Sequence, residues 1–208
     1  MALHELFQNR PAFSMRLSLA NACVLRANAF GKNSQTMFGA VIAKMRKRLY
    51  NSFMQRYEGF SPLFDGNSKI LVLGSFPSIK SREQQFYYGN PQNRFWKTLR
   101  KAFGGTTETV ADKKRLCLQN GIALWDIVAS CEIDGSLDCS IKNFCLADLS
   151  LVLNNCKIEK ILCNGAKAFQ LTSSVYNGAI PLFKMPSTSP ANTRFDESVW
   201  LNQLKTPN

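Results

Sequence analysis

The amino-acid sequence predicts an α/β fold, a three-layer sandwich with a central four-stranded parallel sheet and helices on both of its faces. Two observations favour this class. Four apolar runs, each too short for a helix, recur along the chain, and segments with a helical spacing of apolar residues separate them. Such alternation is typical of parallel sheets that are covered on both faces. The four predicted strands are Ile70–Leu73, Ile122–Trp125, Ile158–Cys163 and Ile180–Met185.

The segments between these strands supply the predicted helices. The first helix is expected to begin near Gln92. Its apolar face is formed by Phe95, Trp96, Leu99 and Phe103. A second helix is predicted over 109–120, because Gly121 follows it as glycine often follows a helix end. Residues 130–143 are polar and predict a loop. Further helices are predicted over 146–154, 166–176 and 197–204.

The first quarter of the chain differs in charge from the remainder. Residues 1–56 hold nine Lys and Arg and one acid, a net charge of +8, whereas residues 57–208 carry +4 of the total of +12. We predict a basic N-terminal extension over 1–56 that is not part of the fold, and one domain over 57–208. The extension is interpreted in three ways: a mitochondrial presequence, a helix on a membrane surface, or an upstream extension of the reading frame with a functional start such as Met54. We favour the third, because the domain is expected to be complete from about Tyr57.

The cysteines and the single histidine exclude several kinds of site. The seven cysteines include no Cys-x-x-Cys pair, so zinc or iron–sulfur ligation is not expected, and their scatter through apolar segments predicts reduced thiols. His4 is the only histidine and lies in the N-terminal extension. Ser-His-Asp and Cys-His catalysis are therefore excluded for the domain. Its chemistry has to use Asn, Ser, Asp, Glu, Lys, Tyr or backbone groups.

Polar residues follow the ends of all four predicted strands. The first strand runs into residues 74–78 and the second into Asp126; the third is followed by Asn164-Gly165 and the fourth by residues 186–189. Because the carboxyl ends of parallel strands meet at one edge of the sheet, these residues are expected to converge on a ligand-binding crevice. Taken singly, each also has a structural interpretation, since Asp126 or Ser187 can cap a helix and Asn164-Gly165 can form a turn.

Two adjacent tyrosines, Tyr87 and Tyr88, are expected to be exposed beside this crevice. Together with the segments around them and at the other strand ends, these tyrosines make the chain resemble the uracil-DNA glycosylase superfamily, and within it the deoxyinosine (hypoxanthine) DNA glycosylase branch. The resemblance extends from about Phe60 to the C-terminus and depends on five segments together. They are GSFPS at 74–78, YYGNPQNRFW at 87–96, GIALWDI at 121–127, GSLD at 135–138 and MPSTSPAN at 185–192. It implies a base-excision-repair enzyme that hydrolyses the N-glycosidic bond of deaminated bases in DNA, chiefly hypoxanthine.

Two positions depart from the common pattern of uracil glycosylases. Phe76 stands where related mismatch glycosylases carry a water-positioning asparagine, and Met185 stands where many uracil glycosylases carry a histidine. The resemblance therefore argues against an enzyme specific for uracil. The deoxyinosine branch shares both departures and is thought to use an asparagine of its second motif. This implies Asn93 as the catalytic residue, with Asn90 as the nearby candidate.

The resemblance also implies a pocket for an extruded base. Tyr88 matches the stacking aromatic of the family and Phe76 is expected as a second wall, although core packing would explain both. The other implied pocket residues are Gly74, Ser75, Pro77, Asp126 and Asn164. Cleavage of the glycosidic bond produces an oxocarbenium-like sugar and an anionic base. An amide that holds a water and backbone N–H groups that bind the departing base therefore suffice, once the base has been flipped out of the duplex.

The loop after the fourth strand resembles the family's second DNA-binding loop. Hydroxyl groups and backbone N–H groups suit a close approach to phosphates, and a rigid Pro-containing loop can enter the space left by the base. The implied DNA-contacting residues are Ser78, Arg94, Ser187, Thr188, Ser189 and Pro190. Lys80, Lys97 and Arg194 are further candidates for phosphate contacts, although each is also explained as a solvated surface charge.

We expect no metal or organic cofactor, because hydrolysis by water needs none, and a monofunctional enzyme that leaves an abasic site. The expected partner is DNA that contains a damaged base; no membrane association is expected, and the protein is expected to be a monomer. The expected localisation is cytoplasmic, with the nucleoid, or mitochondrial if the extension is a presequence. Two alternatives stay open: a uracil or mismatch-specific DNA glycosylase, and a non-catalytic nucleic-acid-binding module.

Overall fold

The computed structural model describes residues 56–133 and 141–205. The predicted N-terminal extension lies outside the described residues except for Arg56, and so does the GSLD segment at 135–138. Within the described ranges the strands are β1 (Arg56–Glu58), β2 (Ile70–Gly74), β3 (Ile122–Asp126), β4 (Val128–Glu132), β5 (Lys142–Leu146), β6 (Lys160–Asn164) and β7 (Leu182–Met185). The helices are α1 (Ile79–Gln84), α2 (Phe95–Phe103), α3 (Val110–Gln119), α4 (Ser150–Leu153), α5 (Ala166–Val175) and α6 (Glu197–Lys205).

The central sheet has four parallel strands in the order β3-β2-β6-β7. This confirms the predicted α/β sandwich. The register brings the carboxyl ends together, because Gly74 pairs with Asp126 and Asn164 pairs with Met185. The polar segments that follow the four strands therefore begin at the same edge of the sheet.

The two faces of the sheet bury separate apolar clusters. Along β2, Leu71 and Leu73 belong to one cluster, whereas Ile70 and Val72 belong to the other, as the alternation of side chains along a strand requires. The first cluster includes side chains of α4 and α5, and the second includes side chains of α2, α3 and α6. Because each fully buried Leu or Ile contributes about 1.5–3 kcal/mol, both helical layers are held to the sheet.

A small antiparallel sheet, β1-β4-β5, was not predicted. The loop predicted over 130–143 is wrong at residues 130–132, which lie in β4, and at residues 142–143, which lie in β5. The pairing is irregular, with register shifts along β4 and β5. Four of the five residues of β5 are exposed, so this strand lacks the apolar run that marks a buried one.

The helices also differ from prediction at two places. The helix predicted over 146–154 is reduced to Ser150–Leu153, because Leu146 ends β5. Helix α1 was not predicted; it has six residues, of which only Ser81 is buried. None of the helices in the described ranges is long and apolar enough to cross a membrane.

Helix α2 begins at Phe95, three residues after the predicted start, because the Asn93 N–H donates to the Asn90 carbonyl at 2.8 Å in a preceding turn. The expected exposure of the two tyrosines is wrong. Tyr87 is 3% exposed and Tyr88 is half-buried. Both belong to the apolar cluster that α2 covers, and the Tyr87 hydroxyl donates to the Ser61 carbonyl at 2.9 Å.

The five cysteines of the described ranges are free, and four of them are buried. Burial raises the pKa of Cys131 and of Cys163 to about 11. These thiols therefore stay protonated at neutral pH and act as small apolar side chains.

Candidate active site

A cleft of about 730 Å³ opens at the carboxyl edge of the parallel sheet. Twelve of the residues predicted for the site line it: Gly74, Ser75, Phe76, Pro77, Ser78, Tyr88, Asn93, Asp126, Asn164, Ser187, Thr188 and Ser189. The three predicted residues that do not line it are Asn90, Arg94 and Pro190. Residues that sequence reasoning did not assign to the site also line it, among them Ser81, Lys184 and Asn192.

The floor of the cleft combines Gly74, Asp126 and Tyr88. Asp126 ends β3 and is 4% exposed. A Cβ atom on Gly74 would lie 2.1 Å from Asp126 Oδ1 and 3.4 Å from the Tyr88 hydroxyl. Glycine at position 74 therefore makes room for the Asp126 carboxylate beside the end of β2.

Tyr88 is held in an uncommon backbone conformation, with φ at 51°. A left-handed conformation of a residue other than glycine costs about 1–3 kcal/mol and persists only where its surroundings enforce it. The Tyr88 ring packs on Phe95, with 4.1 Å between the ring centroids and 36° between the planes. Its hydroxyl is buried and has no hydrogen-bond partner of normal geometry among the described residues.

The pKa of Tyr88 is strongly raised, first by burial and second by the nearby Asp126 carboxylate, while the Asn164 side chain acts in the opposite direction. The hydroxyl is therefore protonated at every pH at which the protein would work. It is a neutral hydrogen-bond donor at the floor of the cleft.

The loop after β2 is tied to the segment that carries the tyrosines. Ser78 caps α1, since its Oγ accepts from the Ser81 N–H at 3.2 Å. The Ser81 Oγ in turn accepts from the Gly89 N–H at 3.0 Å. Arg82 donates from Nη1 to the Pro77 carbonyl at 2.8 Å. Ser81 was missed by sequence reasoning, because a serine three residues after a capping serine has no recognisable signal of its own.

Phe76 serves both the core and the cleft. It is 9% exposed, belongs to the first apolar cluster and lines the cleft. Phe76 therefore packs in the core and also borders the cleft, while its contact with an extruded base stays a prediction.

Asn93 lines the cleft and is half-buried, whereas Asn90 is half-buried but is not a lining residue. The Asn93 Oδ1 accepts from the Phe95 N–H at 3.0 Å at the start of α2. The Asn90 Oδ1 accepts from the Gln92 N–H at 2.9 Å. A carbonyl oxygen has two lone pairs, so Asn93 Oδ1 retains the capacity to accept a hydrogen bond from water.

The loop over 187–192 is fixed by Thr188, which is fully buried. The Thr188 N–H donates to Asn164 Oδ1 at 2.9 Å, and Asn164 Nδ2 donates to Thr188 Oγ1 at 2.8 Å. Ser187 Oγ accepts from the Ser189 N–H at 3.3 Å, and the Asn192 Nδ2 donates to the Ser187 carbonyl at 2.9 Å. Pro190 is exposed at the tip of this loop.

Two exposed cationic side chains line the cleft, Lys184 and Arg194. The sequence predicts Arg194 as a candidate for phosphate contact but does not distinguish Lys184, because a lysine within a predicted strand has no pattern of its own. Lys80 forms an ion pair with Glu83 at 3.1 Å, and neither Lys80 nor Lys97 lines the cleft.

The structure has a parallel sheet with a polar cleft at its carboxyl edge, an aromatic side chain at the cleft floor and a serine- and proline-containing loop at the rim. This is the arrangement that the sequence resemblance implied. A family model described as the Uracil DNA glycosylase superfamily matches residues 61–205. The chain belongs to this superfamily of DNA glycosylases.

Individual relatives agree with this assignment. The chain is 35% identical over 148 residues to the Hypoxanthine DNA glycosylase of Methanosarcina acetivorans, an alignment that covers 68% of this chain and 94% of that protein. It is 32% identical over 114 residues to the Hypoxanthine DNA glycosylase of Methanosarcina barkeri, over 53% of this chain and 72% of that protein. A solution NMR structure from Methanosarcina acetivorans, of a protein described as a candidate uracil DNA glycosylase, is similar with a TM-score of 0.63 and 34% identity, over 73% of this chain and 100% of that one.

Proposed function

We propose that this protein is a monofunctional base-excision-repair glycosylase that removes hypoxanthine from DNA. The observation that carries the proposal is the 35% identity to a Hypoxanthine DNA glycosylase over 94% of that relative, combined with a cleft that both Tyr88 and Asn93 line. The partner is DNA containing a deaminated purine, and one chain suffices for the reaction, so that the protein acts as a monomer.

The target base enters the cleft after it has left the duplex, because its glycosidic bond is not accessible within the stack. The cleft volume of about 730 Å³ falls within the range of ligand pockets, about 300–1,000 Å³, and is sufficient for a nucleobase. Tyr88 provides a fixed aromatic surface for the base. Asp126 provides a buried carboxylate that can accept an N–H of the base, and hypoxanthine carries such a group in its lactam edge.

Asn93 positions the attacking water. Its amide oxygen accepts a hydrogen bond from the water while it also accepts from the Phe95 N–H. The water oxygen forms a bond to C1′ of the sugar as the bond from C1′ to N9 of the purine breaks. The bonding electron pair leaves with the purine, and the proton released by the water ends on the base, so the products are free hypoxanthine and an abasic site. No strong base is required, because the oxocarbenium-like sugar is itself a strong electrophile.

DNA contact is assigned to the rim of the cleft. Lys184 and Arg194 are exposed there and carry the positive charge needed opposite phosphates. Pro190 at the tip of the loop and the backbone around Ser187 and Ser189 complete the contact surface.

The experiment that tests this proposal is incubation with duplexes that contain one inosine, uracil or xanthine, under single-turnover conditions, followed by alkali to break abasic sites. We expect strand breakage to be fastest at inosine and to depend on the alkali step. Trapping of a covalent protein–DNA adduct by borohydride would contradict the monofunctional mechanism. Absence of breakage in all three duplexes would favour a non-catalytic nucleic-acid-binding module.

A second candidate function is excision of uracil or a mismatched pyrimidine. It is supported by the similarity, at a TM-score of 0.63, to a structure described as a candidate uracil DNA glycosylase. Faster breakage at uracil than at inosine in the same assay would establish this alternative over the first.

A further inference from the structure

We propose that Arg94 is a positioning residue rather than a phosphate contact: its guanidinium holds the loop over 187–192 against the segment that carries Asn93. The inference rests on the proposed glycosylase function for its consequence in catalysis. Its structural part, that Arg94 fixes this loop, is independent of the reaction.

The first observation is the number of loop carbonyls that the Arg94 side chain binds. Its Nη2 donates to the carbonyl of Ser189 and, at 2.7 Å, to the carbonyl of Asn192. Its Nε approaches the Thr188 carbonyl at 3.5 Å. The guanidinium carbon lies 4.5 Å from the centre of the Phe195 ring, which covers one face. Through these contacts, the N–H groups of the Arg94 guanidinium bind the loop itself.

The second observation is that the Arg94 backbone joins the same loop. The Arg94 N–H donates to the Thr188 carbonyl at 3.0 Å. Thr188 is bound twice by Asn164 at the end of β6. Asn93 precedes Arg94 directly, so the segment with Asn93, the loop over 187–192 and the end of β6 form one hydrogen-bonded unit.

Arg94 also differs from the cationic residues at the rim of the cleft in its burial and its position. Arg94 is half-buried and does not line the cleft, whereas Arg194 is exposed and does. A side chain whose donors bind carbonyls within the protein has few left for a phosphate. Arg94 therefore acts through Asn93 and the loop: when it is absent, the amide of Asn93 and the loop surface are no longer held in a fixed relation. Small displacements of this kind lower a rate strongly, because the water and the sugar must be aligned.

The first test measures, in the absence of DNA, how readily trypsin cleaves the chain next to the loop over 187–192. Trypsin can cleave after Arg194, immediately beyond the loop. In Arg94→Gln, cleavage between Arg194 and Phe195 is expected to become several-fold faster, while cleavage at Arg115 in α3 keeps its wild-type rate. An unchanged rate at Arg194 would overturn the proposal, and so would an equal acceleration at Arg115, which would indicate general loss of stability. Arg94→Lys, which keeps the charge and one donor group, is expected to give an intermediate rate.

The second test measures DNA binding and excision. In Arg94→Gln, the slope of log Kd against log salt concentration is expected to equal that of the wild type, while the single-turnover excision rate at saturating enzyme falls about 10- to 100-fold. Arg194→Gln is the comparison for a phosphate contact, and its slope is expected to fall by about 1. Arg115→Gln is the charge-matched control away from the cleft and is expected to match the wild type in both measurements.

A reduced salt slope with an unchanged saturating rate in Arg94→Gln would make Arg94 a phosphate contact and would overturn the proposal. If the wild-type protein excises none of the bases, the proposed function fails, but the tryptic cleavage and the salt slope still decide whether Arg94 fixes the loop.

Discussion

Asn164 and Thr188 bind each other through two hydrogen bonds, one from the Thr188 N–H to Asn164 Oδ1 at 2.9 Å and one from Asn164 Nδ2 to Thr188 Oγ1 at 2.8 Å. Asn164 ends a central strand, and Thr188 lies in the loop after the edge strand β7. The pair satisfies both ends of the Asn164 amide with a single partner. The pair connects the parallel sheet to the loop that we propose as a DNA contact, and so fixes the position of the start of that loop.

The substitution Thr188→Val tests the energetic contribution of this pair. Valine keeps the shape of threonine but removes Oγ1, and the half-buried Asn164 Nδ2 then loses this acceptor. We expect the free energy of unfolding to fall by about 1–3 kcal/mol, measured by urea denaturation. Thr193→Val is the matched control, because Thr193 is exposed, and its effect is expected to stay within about 0.5 kcal/mol. Equal effects of the two substitutions would contradict a special contribution of Thr188.

The substitution Gly74→Ala tests the floor of the cleft. The new methyl group would lie 2.1 Å from Asp126 Oδ1, so the carboxylate or the strand end has to move. We expect a loss of about 1–3 kcal/mol in the free energy of unfolding, together with a reduced rate of hypoxanthine excision. Gly66→Ala is the control, since a Cβ at position 66 meets no heavy atom within 4 Å. If Gly74→Ala excises hypoxanthine as the wild type does, the floor tolerates displacement and the account of Gly74 is wrong.

The substitution Glu197→Gln tests the contact between α2 and α6. Its effect on the free energy of unfolding is expected to depend on pH. Glu197 accepts from Lys101 Nζ at 2.5 Å and from Thr98 Oγ1 at 3.3 Å. The hydrogen bond from Lys101 is the main reason that the pKa of Glu197 lies below its ordinary value of 4.5. Because the pKa is lower in the folded than in the unfolded state, the stabilisation is present above about pH 4.5 and is lost as the pH falls through the folded-state value.

Urea denaturation at pH 7 and at pH 3 measures this difference. At pH 7, Glu197→Gln is expected to be less stable than the wild type by less than about 1 kcal/mol, as for a surface ion pair, and at pH 3 this difference is expected to be smaller. Glu108→Gln, at an exposed position in the same protein, serves as the control. A difference that is the same at both pH values would rule out the ion pair as its source.

The parallel sheet was predictable mainly because two of its strands, β2 and β3, are fully buried. Their residues Ile70–Leu73 and Ile122–Trp125 form continuous apolar runs in the sequence, and only the strand ends, Gly74 and Asp126, depart from them. The antiparallel sheet was not predictable in the same way. Lys142 to Cys145 are exposed, and their pairing with β4 is interrupted by register shifts, so neither a run nor a clean alternation marks the strand.

The cleft was predictable in its position and mostly in its lining, because the carboxyl ends of parallel strands converge. The hydrogen-bond partners of the residues in and around the cleft were not predictable. The bonds of Arg94 to the loop join positions about a hundred residues apart, and no local pattern records which carbonyls an arginine will bind. The burial of Tyr87 likewise follows from its packing in the cluster that α2 covers, which an adjacent pair of tyrosines in a turn does not reveal.

The central claim is that Asn93 positions the water that attacks the sugar, and a comparison of Asn93→Ala with Asn90→Ala tests it most directly. The two variants are matched, because each loses one hydrogen bond from the N–H two residues further on, at 3.0 Å for Asn93 and 2.9 Å for Asn90. Similar losses of stability are therefore expected, about 1 kcal/mol or less, with a native circular dichroism spectrum in both. The measurement is the single-turnover rate of hypoxanthine excision from an inosine duplex at saturating enzyme. The account predicts a loss of about 100-fold or more for Asn93→Ala and wild-type excision for Asn90→Ala. Excision by Asn93→Ala at the wild-type rate would contradict it.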